Sequence, residues 1–128
     1  MASDERWYVL VEANHGYGSD TQWELREKHH VDGDRATATS RAEEICRTWI
    51  PSSWAPEECG RTVFETSGTS WLVEITHQWW SEGRGTVSTL NAHFRVTVAR
   101  LVHAEETPPA HPPVKTTGAI RRAFGGGR

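Results

Sequence analysis

The side chains best able to do chemistry gather in two places. One is the run His29-His30-Val31-Asp32-Gly33-Asp34, whose imidazoles and carboxylates are metal-ligand types. Successive side chains of a strand point to opposite faces, so His29 and His30 cannot reach one ion without a bend. No HExxH, HxH or CxxC spacing adds to the pattern, and turn and capping chemistry accounts for Asp32, Gly33 and Asp34. Neither a metal nor a cofactor is expected.

The other is Trp71–Trp80, WLVEITHQWW. Period two puts Trp71, Val73, Ile75, His77 and Trp79 on one face of a strand, and Leu72, Glu74, Thr76, Gln78 and Trp80 on the other. An unpaired imidazole on the apolar face would be costly. A buried His can serve as a general base or a pH switch, although it is more often simply hydrogen-bonded near a strand end. His77, Glu74, Trp80 and Arg95 are therefore the candidate ligand-binding residues, in a pocket between helix and sheet.

Other catalytic patterns are missing. Glu12 and Glu74 are mid-strand carboxylates of the kind a glycosidase pairs, but nothing in the sequence brings them together. There is no GxSxG elbow, and neither Cys46 nor Cys59 has a protease or redox surround. Gly16-Tyr17-Gly18 lacks the Lys-Ser/Thr of a phosphate loop. Catalysis is not expected.

The elements that must position these residues follow from hydrophobic period. Trp7–Ala13 reads as a central strand and Gln22–Val31 as its hairpin partner, with Trp23, Leu25 and Val31 sharing one face and Glu24, Arg26, Lys28 and His30 the other. Ala38, Ala42, Ile45, Cys46 and Trp49 lie at helical spacing, with Asp34 or the Ser40-x-x-Glu43 box to begin the helix and Pro51 to end it. Pro51–Gly60 is a loop in which Trp54 should tuck over a core edge. Arg61–Thr66 is a short strand, Trp71–Trp80 the presumed centre of the sheet, and Thr89–His103 the last strand. Val87 falls out of phase with that strand, which suggests a bulge or a late start. The expectation is an α+β domain over residues 1–106, with strand order β-β-α-β-β-β in sequence. One antiparallel sheet of about five strands packs on one helix.

Composition sets the class. A chain of 128 residues, 36% hydrophobic and 24% charged, suits one domain with one core. It has no 18-residue apolar run and no basic leader, so a cytoplasmic protein without a membrane span is expected, with both cysteines as thiols. Twelve Arg against two Lys hints at a GC-rich, bacterial genome. Residues 1–106 carry ten Lys/Arg against seventeen Asp/Glu, whereas residues 107–128 carry four basic residues and no acid. That tail, with four prolines and four glycines, is too poor in apolar surface to order itself. Within it Ile120, Arg121, Arg122 and Phe124 are the candidate partner-binding residues.

Aromatics and Arg on an open sheet, here Tyr8, Trp80, His93 and Arg95, could stack single-stranded nucleic acid. The acidic body opposes this. The reading favoured by the sequence is a small non-catalytic interaction module that binds a protein or a second copy of itself, with nucleic acid and membrane disfavoured as partners. The alternative is a small-ligand binder or enzyme working near His77.

Overall fold

A computed structural model describes residues 5–15 and 22–112. Five strands, β1 (Trp7–His15), β2 (Gln22–Val31), β3 (Cys59–Ser67), β4 (Ser70–Ser81) and β5 (Thr86–Arg100), form one antiparallel sheet. Their order is β2-β1-β5-β4-β3, so the chain crosses from one edge to the other between β2 and β3. The single α-helix among the described residues, α1 (Arg35–Thr48), makes that crossing, and a 3-10 turn, Pro56–Glu58, completes it. The expected α+β sheet-on-helix class is the observed one. β5 rather than β4 holds the centre.

Local chemistry explains the helix. Asp34 is its N-cap: Oδ1 accepts from the Thr37 amide and hydroxyl, both at 2.9 Å. The backbone hydrogen bond from Thr37 holds the Asp34 carboxyl below its ordinary value. Ser40 and Glu43 lie inside α1, so the alternative capping box is not used. Gly33 just before the cap has φ +147°, and a Cβ there would stand 2.8 Å from Thr37 Oγ1. At the far end Trp49 turns to extended backbone two residues before Pro51. Arg61 Nη1 donates to the Cys46 carbonyl at 2.9 Å, satisfying an acceptor in the last turn.

The helix buries Ala38, Ala42, Ile45 and Cys46 against Val9, Val11, Ala13, Val31, Trp71, Val73, Ile75, Phe94, Val96 and Val98. Two alanines, both fully buried, let α1 sit close to the sheet. The other face of the sheet has no element over it among the described residues. One rung there runs Leu25, Glu12, Arg95, Leu72, Phe64 across all five strands.

Two phases differ from expectation. Val11 pairs with Glu27 but Glu12 pairs with Leu25, so Arg26 is an extra residue in β2. This bulge puts Trp23 and Leu25 on the uncovered face with Lys28 and His30, while Val31 stays on the covered face. Val87, by contrast, marks no bulge. β4 and β5 pair without a shift from Ser70↔Thr97 to Ser81↔Thr86, and Val87 lies opposite Trp80. The turn between them closes with Gly85 at φ 63° and its amide bonded to the Ser81 carbonyl at 2.8 Å.

β4 and β5 outrun their neighbours. β3 stops at the Cys59↔His77 pair and β1 at Ala13↔Phe94, while the β4–β5 ladder continues through Gln78↔Thr89, Trp79↔Ser88 and Trp80↔Val87 to Ser81↔Thr86. The result is a two-stranded arm of roughly 14 Å beyond the last β3 rung.

Candidate interaction surface

The arm carries apolar side chains on both faces. Trp79 lies on the face that continues the helix-covered side, with Leu90 at the arm's root opposite His77, and Trp80 and Val87 lie on the face that continues the open side. Trp79 is 44% exposed and Trp80 is 60% exposed, and Val87 and Leu90 are comparably open. Scattered exposed hydrophobes are ordinary, but two on each face of one narrow ribbon concentrate apolar surface at this end of the sheet.

Trp79 is held in place from its root. Its ring stacks on His77 at 5.5 Å, and the other neighbour of that imidazole is Trp54, at 5.8 Å. Trp54 comes from the Pro51–Gly60 loop and packs on the core edge as expected. His77 Nε2 lies 3.1 Å from Glu58 Oε1. The polar group that stood out on the apolar face thus has a carboxylate partner and two aromatic walls. The sequence pointed to His77 but missed Trp54, Glu58 and Leu90 around it. A usable signal existed: β4 and β5 are longer than β1 and β3, so their shared end must overhang.

The four candidate ligand-binding residues do not form one site. His77 is on the covered side of β4, whereas Glu74, Arg95 and Trp80 are on the open side. Glu74 faces His93, whose Nε2 is 3.5 Å from its carboxylate. Arg95 lies 3.7 Å from Glu12 and has its guanidinium 5.1 Å from the Trp23 ring, so its charge and one flat face are already engaged. Trp80 is six residues beyond Glu74, roughly 20 Å along the strand. Glu12 and Glu74 lie on strands to either side of β5, each with its own cationic or imidazole partner. Ile120, Arg121, Arg122 and Phe124 fall outside the described residues, as does Gly16-Tyr17-Gly18.

The His/Asp run is divided as strand alternation requires. His29 faces the covered side and its Nε2 lies 2.7 Å from Glu27 Oε1, while His30 stands on the open face 3.7 Å from Asp32. Among the described residues no group of three or more His, Cys, Asp or Glu side chains is placed to share an ion. Glu27 also accepts from Trp49 Nε1 at 2.9 Å. Partial burial alone would raise its carboxyl, but the bonds from Trp49 and His29 outweigh this and hold it below its ordinary value.

His77 does not line any of three surface clefts found among the described residues. One of about 540 Å³ lies on the open face, floored by Tyr8, Leu10 and Ala99 and rimmed by Arg6, Lys28 and Arg100. It is at the opposite end of β5 from the arm. No helix among the described residues is long and apolar enough to cross a membrane.

The cysteines are free thiols in different settings. Cys46 is 1% exposed, and burial pushes its pKa up to about 11. Cys59 is only partly buried and donates to the Ala55 carbonyl at 3.3 Å. A disulfide reagent is expected to titrate one thiol in the folded protein and the second only in denaturant. The C59S variant should lose the fast phase. A fast phase that survived in C59S would mean that Cys46 is accessible.

No family model matches this chain, and neither a curated protein nor a solved structure does.

Proposed function

We propose that this chain is a small non-catalytic protein-interaction module that self-associates through the β4–β5 arm. The observation that carries the reading is the arm itself, which extends past its sheet neighbours and presents two indoles to solvent. Aromatic residues concentrate at the centres of protein contacts because they bury large areas while losing few rotamers. A ribbon apolar on both faces asks to be clasped, and its strand edges, unpaired among the described residues, add backbone hydrogen-bonding capacity. A second copy brings the same surface, so a two-fold arrangement closes on itself. The ligand-site alternative near His77 has less in its favour, since two indoles and Glu58 occupy the imidazole's surroundings.

Sedimentation velocity of the full chain tests this. The wild type should sediment as a dimer in the micromolar range, and the Trp79→Ser/Trp80→Ser double variant as a monomer of unchanged far-UV circular dichroism. Both residues lie on the exposed arm, so folding should survive. A wild-type monomer at high micromolar concentration, or a double variant that dimerises normally, would sink the reading.

A further inference from the structure

The arm is too small to hold a dimer alone. At their exposures Trp79, Trp80, Val87 and Leu90 offer roughly 400 Å² of surface, against about 800 Å² per partner in a stable interface. Something else must contribute area.

The segment after β5 is a source of it. Residues 101–112 carry no regular secondary structure, and every one of them is exposed. Leu101 is tied down by its amide, which donates to the Arg6 carbonyl at 2.8 Å. Beyond it the chain reads Thr107-Pro108-Pro109-Ala110-His111-Pro112. Each proline fixes its own φ and pushes the residue before it to extended backbone, so Thr107, Pro108 and His111 are restricted as well. Such a stretch is preset to the polyproline II helix and has little entropy left to lose on docking.

Polyproline helices dock on strips of aromatic rings. One such strip is present: Trp54, His77 and Trp79 stand side by side at the root of the arm, with 5.8 and 5.5 Å between neighbouring rings. The outer two are therefore no more than roughly 11 Å apart, and a polyproline helix repeats every three residues at about 9.3 Å. Pro109 and Pro112 have that three-residue spacing, so both lie on one edge of the helix and each can sit against one indole.

Reach decides whether the contact is made within one chain. The strip lies opposite Leu90 on β5, ten residues and about 34 Å back from Arg100. Pro109 is nine residues beyond Arg100 and can travel about 32 Å only if fully extended and unobstructed. It would also have to pass around the sheet edge. It falls short in its own chain, whereas in a two-fold pair each segment can run onto the other copy.

Building on the arm-mediated self-association above, we infer that the Trp54–His77–Trp79 strip of each copy binds the Thr107–Pro112 segment of the other, a reciprocal exchange of proline segments. The fit is specific in register, because shifting either proline by one residue takes it off the shared edge.

Full-length variants test it by sedimentation velocity. Trp79→Ala removes the strip and Pro109→Ala/Pro112→Ala removes the preset segment. Each alone should raise the dimer dissociation constant about tenfold or more. Mixed one to one, they should form a heterodimer tighter than either homodimer, because that pair keeps one intact strip facing one intact segment. Misfolding of either variant could not produce such rescue. If the proline variant dimerises like the wild type while Trp79→Ser/Trp80→Ser does not, the arm still mediates self-association and the exchange is wrong. If the mixture shows no preferred heterodimer, the exchange is likewise wrong.

Discussion

Phe94→Ala should lower the unfolding free energy by about 3–5 kcal/mol, the largest loss expected from any single truncation in this core. Phe94 is 1% exposed and lies in the middle strand, paired with Ala13 on one side and Val73 on the other. Trp49 closes over it with ring centroids 4.6 Å apart and planes tilted by 52°, and the Arg61 guanidinium lies 6.0 Å from its centroid. The helix end and strands β1, β3 and β4 therefore meet around this one ring of β5. None of them can move in to fill the space, because each is fixed by its own ladder or cap, and a cavity that does not collapse carries the full penalty. Urea titration measures the loss, and Phe64→Ala supplies the contrast. Phe64 is 52% exposed at an edge strand, so its removal should cost about 1 kcal/mol or less. Equal losses at the two positions would mean that the ring of Phe94 is not the keystone its contacts imply. Since single domains are held by only about 5–15 kcal/mol, the Phe94 variant should also melt well below the wild type.

How much of this was legible in the sequence depends on how local the cause was. The helix was legible because everything that makes it is local. A stripe at Ala38, Ala42, Ile45 and Cys46 meets an Asp cap before it and a Pro after it. The pairing of covered and open faces in β4 and β5 was legible for the same reason, since alternation is a property of one strand. The phase of β2 was not. The extra Arg26 is dictated by how β2 registers against β1, and no residue near it announces the bulge. The arm was half legible. Its indoles were conspicuous, but whether Trp79 and Trp80 are core or surface depends on where β1 and β3 stop, which is a relation between strands distant in sequence. His77 shows the same division. Its polarity on an apolar face could be read directly, whereas its partners arrive from a loop through Trp54 and from the 3-10 turn through Glu58.

Trp49→Ala should cost about 3 kcal/mol, and part of that cost should depend on pH. The indole does two things from the end of α1: it covers Phe94, and its Nε1 donates to Glu27 Oε2 on β2, fastening the helix to the opposite side of the sheet from Arg61. The two can be separated. Trp49→Phe keeps a ring over Phe94 but takes the indole donor from Glu27 Oε2, leaving the carboxylate with His29 alone, and should cost about 1 kcal/mol at neutral pH, a modest value because the Glu27 carboxylate is partly in water. The Glu27 carboxyl is held below its ordinary value in the folded protein even though burial pushes it up, because the bonds from Trp49 and His29 favour the anion. A carboxyl whose folded pKa is depressed adds stability above its unfolded value and loses it as the pH falls through the folded value. The gap between wild type and Trp49→Phe should therefore hold steady near neutral pH and narrow as the pH falls through the ordinary Glu range, about 4.3, and below it. Trp49→Ala should show the same narrowing on top of a pH-independent packing loss. Unfolding curves collected from pH 3 to 7, about the range over which a carboxyl titrates, would decide the matter. A gap that stays flat through acid would assign the whole effect of Trp49 to packing, and would leave the Glu27 bond without weight in holding the helix on the sheet.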